Sequence, residues 1–245
     1  MYSRPDGRAL DQTRPISFKR GFANAPGRVI ASAGDTVVLC AASVADEVPE
    51  WRKGTADAPA KGWLTAEYRM LPSSVARRKP RQDRPDGRAT EIQRLIGRSL
   101  RAVFDPEKLG PRTIYLDCDV LQADGGTRTL AISGAFVALV ETLNAIRDQL
   151  PDPSAYPLRD SVSAISVGLV QETPILDLCY VEDSSADVDM NVVATGEGKF
   201  VEIQGTAERS PFDDERLARF LALAKKGCAE IASLQREALA DDWPF

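Results

Sequence analysis

Apolar residues recur with period two in some stretches of the chain and near 3.6 in others, and this alternation predicts its elements. Residues 28–33 and 36–44 are apolar, β-branched runs separated by Gly34-Asp35, which predicts two strands joined by a tight hairpin. Residues 45–62 are mostly polar and carry Pro49, Gly54, Pro59 and Gly62, a loop; 64–71 reads as a further strand. The stretch 72–87 is loop-like and rich in arginine. From Thr90, Ile92, Leu95, Ile96, Leu100 and Val103 fall on one helical face, with Arg94, Arg98 and Arg101 toward the other, until Asp105-Pro106. Residues 113–122 read as a strand that breaks at Asp124-Gly125-Gly126. A long apolar helix is then predicted over 127–150, stopped by Pro151, Pro153 and Pro157. Strand-like runs follow at 162–170, 175–181, 188–194 and 200–204, the last two joined by Gly196-Glu197-Gly198. Leu217, Phe220, Leu221, Ala224, Cys228, Ile231 and Leu234 keep helical period and predict a closing helix over 213–239.

Strands followed by a helix thus occur twice, which permits a duplicated α+β architecture with crude halves 1–150 and 151–245 in one domain. A chain of 245 residues, 43% hydrophobic and 27% charged, has enough apolar material for a core without staples. Its longest apolar stretch, around 131–140, falls far short of the ~20 residues that cross a bilayer. No apolar h-region follows Met1, so the expected location is cytoplasmic, away from membranes. Histidine is absent, which removes Ser–His–Asp and Cys–His nucleophiles and every His-ligated metal site. Cys40, Cys118, Cys179 and Cys228 stand far apart and read as buried thiols.

The net charge of −5 conceals a segregation. Residues 69–101 carry ten Arg or Lys against three acids, whereas 151–200 carry nine acids against Arg159 and Lys199. A cationic zone in an acidic chain suits a polyanion, and an acidic zone suits a cation. Four constellations fit that division. Asp124-Gly125-Gly126-Thr127-Arg128 is a strand–helix turn whose glycines, amides, hydroxyl and guanidinium suit a phosphate. Asp86-Gly87-Arg88 offers a second guanidinium. The run 182–189 places Asp183, Asp187 and Asp189 around a strand start, suited to Mg²⁺ or Mn²⁺; alternation puts Asp187 and Asp189 on one face. The strip Arg77-Arg78-Lys79-Pro80-Arg81-Gln82-Asp83-Arg84 could steer a nucleic-acid backbone, with Trp63 and Tyr68 either stacking on bases or packing in the core. Together they suit phosphoryl or nucleotidyl transfer, which relies on positioning and charge neutralisation.

The motifs carry a resemblance that spans nearly the whole chain. Gly7-Arg8-Ala9-Leu10-Asp11-Gln12-Thr13-Arg14-Pro15, Gly62-Trp63-Leu64-Thr65-Ala66-Glu67-Tyr68, Glu91-Ile92-Gln93-Arg94-Leu95-Ile96-Gly97-Arg98, residues 117–129, Glu182-Asp183-Ser184, residues 189–193 and Gln204-Gly205-Thr206-Ala207-Glu208 occur in the order seen in bacterial ribonuclease PH, which the chain resembles. The resemblance implies a two-layer, internally duplicated α+β ribonuclease PH-type domain of mixed sheets and helices, assembled as a homo-hexamer (a trimer of dimers). It implies a phosphorolytic 3′→5′ exoribonuclease that trims tRNA precursors beyond the CCA end. Inorganic phosphate would be the co-substrate, with nucleoside diphosphates released and the reverse reaction adding nucleotides. By position, Arg88, Gly126, Thr127 and Arg128 match the family's phosphate site. Asp183 and Asp189 match its catalytic, metal-associated aspartates, and Arg78 and Arg81 match RNA-contacting arginines.

The chain departs from the family pattern in four places. Ala89 stands where threonine is usual, Ser73 where arginine is common, Leu130 where a small residue is usual, and the 72–87 loop is a few residues short. Two other readings fit the same residues: a non-catalytic RNA-binding ring subunit of an exosome-like complex, and a hydrolytic two-metal exonuclease.

Overall fold

The structure is a computed structural model that describes residues 2–21, 24–55, 59–81 and 84–245. Residues 56–58 of the 45–62 loop, and Gln82 and Asp83 of the basic strip, lie outside the described residues.

The first sheet contains β1 (Ile16–Arg20), β2 (Gly27–Ala33), β3 (Thr36–Ala45), β4 (Trp63–Met70) and β5 (Thr113–Gln122), in the order β1-β2-β3-β5-β4. Gly34-Asp35 turns the β2–β3 hairpin, with Ala33 opposite Thr36, as the sequence predicts. β1 is an element the pattern does not announce: only Phe18 of its five residues is buried, too few to show alternation. β4 runs parallel to β5, whereas the other pairs are antiparallel. Such a parallel pair needs a crossover, supplied by α1 (Gly87–Arg101) and the single turn α2 (Pro106–Leu109). α1 begins three residues before the expected Thr90. The Asp86 carboxylate accepts from Ala89 N at 2.7 Å, a side-chain N-cap that carries Gly87 and Arg88 into the first turn.

The second sheet contains β6 (Val162–Val170), β7 (Thr173–Leu176), β8 (Val188–Thr195) and β9 (Phe200–Ala207), in the order β7-β6-β8-β9. The expected strand over 175–181 is corrected here. β7 ends at Leu176, Asp177 takes the left-handed region at φ +55°, and α4 (Tyr180–Asp183) follows. Local apolarity resembled a strand, but Asp177 and Glu182 are buried ion-pair partners that turn the chain instead.

Two long helices complete the fold: α3 (Thr127–Ala145) and α5 (Asp214–Leu239). The predicted 127–150 helix ends early, and residues Arg147–Gln149 form a 3₁₀ turn before Pro151. α3 is buried on all sides, which explains its apolar sequence without a polar stripe. It packs on β2 and β3 of the first sheet and on β6 of the second. A Cβ at Gly134 would stand 2.8 Å from the Ala31 Cβ and 2.7 Å from the Cys40 Sγ, so glycine lets helix and sheet approach closely. One continuous core therefore joins Val38, Ile96 and Leu116 to Val167, Val192 and Ile231 through Phe136 and Leu139. Truncating Phe136 to alanine would cost about 3–5 kcal/mol. The four cysteines are free and buried. Among the described residues no helix is long and apolar enough to cross a membrane.

Candidate active site

The end of β5, the start of α1, the start of α3 and α4 converge on an open cleft of about 1440 Å³. Gly125 and Gly126 leave β5 at φ +78° and +64°. Neither conformation suits a residue with a Cβ, and at Gly125 that atom would lie 2.6 Å from the Leu178 carbonyl oxygen. Gly126 supplies no side-chain cap to α3, whose first-turn amides are thus free of a competing side chain. Thr127 is buried, and its Oγ1 accepts from the Tyr68 hydroxyl at 2.9 Å. Tyr68 is thereby a core residue that orients the site, not an exposed stacking platform.

Arg128 is held from two directions. Its Nη1 donates to Gln204 Oε1 at 2.8 Å on β9 and to Glu91 Oε1 at 3.3 Å on α1, and Gln204 Nε2 donates to the same glutamate oxygen at 3.1 Å. Arg88, on the first turn of α1, lines the same cleft, so the two guanidinium-bearing turns do face one ligand space. Glu91 is one of the few acids in the basic zone, and that oddity was the available signal for an arginine partner. Gln204 gave none.

Asp183 ends α4 and Asp189 sits on β8, and both line the cleft together with the arginines. Burial raises the Asp183 carboxyl against the pull of Arg88 and Arg128, with Glu208 adding to the rise. Burial and then the neighbouring Asp183 push Asp189 up to about 6, against Arg128 and a 3.5 Å contact from Asn191 Nδ2. Asp187 does not join them: it precedes β8, and its backbone pairs with Leu169, Glu208 and Arg209. Among the described residues no group of three metal-type side chains forms, so a cation here would rest on two carboxylates, water and substrate.

Arg77, Arg78 and Lys79 form one wall of the cleft, in a loop tied back by Lys79 N to Pro72 O at 2.9 Å. Arg81 is exposed and lies off the lining. Trp63 sits at the far end of β4, with Arg52 and Arg101 against its ring at 4.9 and 4.6 Å. Tyr180 is an aromatic that sequence reading passed over; it is 61% exposed beside Asp183 and lines the cleft.

A family model described as the 3′ exoribonuclease family, domain 1, matches residues 12–143, and its domain 2 model matches 160–227. The chain is also 53% identical over 242 residues to a protein named Ribonuclease PH from Synechococcus sp. (strain JA-3-3Ab), covering 97% of this chain and 98% of that one. The chain belongs to the ribonuclease PH family. As a member it is a phosphate-dependent 3′→5′ exoribonuclease of tRNA processing. Rice (Oryza sativa) Rrp46 shares its fold with a TM-score of 0.77 at 19% identity, over 96% of this chain and 100% of that one. A chain of the Archaeoglobus fulgidus exosome with RNA bound to the active site does so at 0.79 and 21%, over 94% and 92%. The ribonuclease PH fold is therefore the α+β arrangement expected from the sequence.

Proposed function

We propose that orthophosphate binds between Arg88 and the Gly126-Thr127-Arg128 turn and is itself the nucleophile. The two guanidinium groups neutralise and orient it, and the Thr127 hydroxyl and first-turn amides of α3 add hydrogen bonds. The 3′ end of the RNA enters along Arg78, with Arg81 on the outer approach, and its terminal base stacks on Tyr180. A phosphate oxygen attacks the terminal phosphorus, the bond to the penultimate 3′-oxygen breaks, and that oxygen takes up a proton. A nucleoside diphosphate leaves; the reverse reaction lengthens the RNA. A chain without histidine can run this reaction because no protein nucleophile is needed.

Asp183 and Asp189 fit a hard divalent ion, Mg²⁺ or Mn²⁺. Both carboxyls are partly buried, Asp183 raises Asp189, and Glu208 adds negative field to both, an excess that a cation relieves. When bound, it would offset charge at the scissile phosphate. The assembly is a homo-hexamer, a trimer of dimers, and the substrate is a tRNA precursor with nucleotides beyond its CCA end, met in the cytoplasm. We infer that residues 1–245 act as one domain, since both halves share α3 and one core.

The observation that carries this reading is the fixing of Arg128 by Glu91 and Gln204 in the same cleft as Asp183 and Asp189. The purified chain with Mg²⁺, phosphate and a tRNA precursor is expected to release nucleoside diphosphates, and none without phosphate. Monophosphate product indifferent to phosphate would indicate hydrolysis instead; no product at all would indicate a scaffold subunit.

A further inference from the structure

Arg14 takes part in no step above, yet it is 4% exposed and its guanidinium donates to two turns that flank the cleft. Its Nε and Nη2 donate to the Asp177 carboxylate at 3.0 and 2.7 Å, and its own backbone N–H donates to Asp177 Oδ2 at 2.7 Å. Its Nη1 donates to the Asp124 carbonyl at 2.5 Å. A Cβ on Gly126 would lie 3.0 Å from Arg14 Nη2, so the guanidinium lies directly beneath the phosphate turn.

Both turns have further ties that lead back to the same place. Thr36 Oγ1 donates to Gly125 O at 2.7 Å and accepts from Asp124 N at 2.9 Å, and it meets Arg14 Nη1 at 3.4 Å. Asp124 Oδ1 accepts from Tyr180 N at 3.1 Å, which joins the phosphate turn to the first residue of α4. Beyond Asp177, the buried Glu182 of α4 is gripped by Arg4 through Nε and Nη2 at 2.8 and 2.7 Å. The phosphate turn belongs to the first sheet and Asp183 to the second half, so nothing local fixes the distance between them. We propose that Arg14 is a positioning residue that locks the 124–126 turn to the 177–183 segment, setting nucleophilic phosphate and the Asp183 carboxylate in register. Asp177 is forced to φ +55° at this junction, a conformation that costs free energy and persists where the surroundings over-determine it.

The proposal rests on the phosphate site assigned above, and its test separates the two. Phosphorolysis rates are measured against phosphate and against RNA concentration for Arg14→Lys, Thr36→Val, Thr36→Ser and Arg128→Ala. Lysine keeps the charge but cannot bridge Asp177 and Asp124 together. Valine keeps the shape of Thr36 without its hydroxyl, so Thr36→Val serves if Arg14→Lys does not fold. Both are expected to raise KM for phosphate on the order of ten- to a hundredfold. KM for RNA should stay within about twofold, and Thr36→Ser should restore the native values. A lower melting temperature with unchanged phosphate KM, or an equal rise in both KM values, would overturn the positioning role while Arg128→Ala still raises KM for phosphate. Should Arg128→Ala leave that KM unchanged, the phosphate site is misassigned and the positioning role falls with it.

Discussion

The carboxyl of Asp189 offers a prediction about stability that runs opposite to the one about activity. An unstructured aspartate loses its proton near pH 3.8, whereas in the fold Asp189 keeps it up to about 6. Between those values the folded chain binds more protons than the unfolded chain, so stability falls as pH rises and the loss is complete above the folded value. At 1.36 kcal/mol per unit, the shift amounts to about 3 kcal/mol of destabilisation at pH 8. Asp189→Asn removes the buried charge and keeps the side-chain volume. In urea unfolding with a chelator present, the variant is expected to exceed the native chain by up to about 3 kcal/mol at pH 8 and to match it at pH 4. The variant should be inactive, and Mg²⁺ should stabilise the native chain far more than the variant. Equal stability of the two chains at both pH values would refute the reasoning, because the charge would then carry no burial cost.

Other substitutions probe the site's supports. Gly125→Ala places a Cβ at φ +78° and 2.6 Å from the Leu178 carbonyl, and is expected to cost at least about 2 kcal/mol and to weaken phosphate binding, read by thermal melting and phosphate KM. Tyr68→Phe removes the donor to Thr127 Oγ1 and should lower stability by about 1 kcal/mol, with a several-fold rise in phosphate KM. Arg98→Ala breaks the pairing with Glu202, in which the arginine is half-exposed; it should change stability by less than about 1 kcal/mol and leave both KM values alone.

Much of this architecture could be read from the sequence because its signals are local. The Gly34-Asp35 hairpin, the amphipathic face of α1 and the diglycine before α3 each declare themselves within a few residues. The 175–181 stretch misled because its turn depends on Arg4, Arg8 and Arg14, more than 150 positions away in the chain. β1 was missed for a related reason: its place is set by pairing with β2, not by its own alternation. At the site, Arg88, Thr127, Arg128, Asp183 and Asp189 do meet in one cleft, while Arg81 and Asp187 stand outside its lining. The residues that orient them, Glu91, Gln204 and Tyr68, act through long-range contacts, and sequence spacing alone does not reveal such contacts.

The entrapment of α3 has a consequence for how a polymer can enter. Many clefts between two lobes open by a hinge, but here the element linking the lobes has every face occupied. Bending it would tear apolar surface from both sheets at once, at a cost no single nucleotide repays. The spacing of the two sheets is thus fixed, and any adjustment to an entering strand falls to the loop of Arg77, Arg78 and Lys79 that forms one wall.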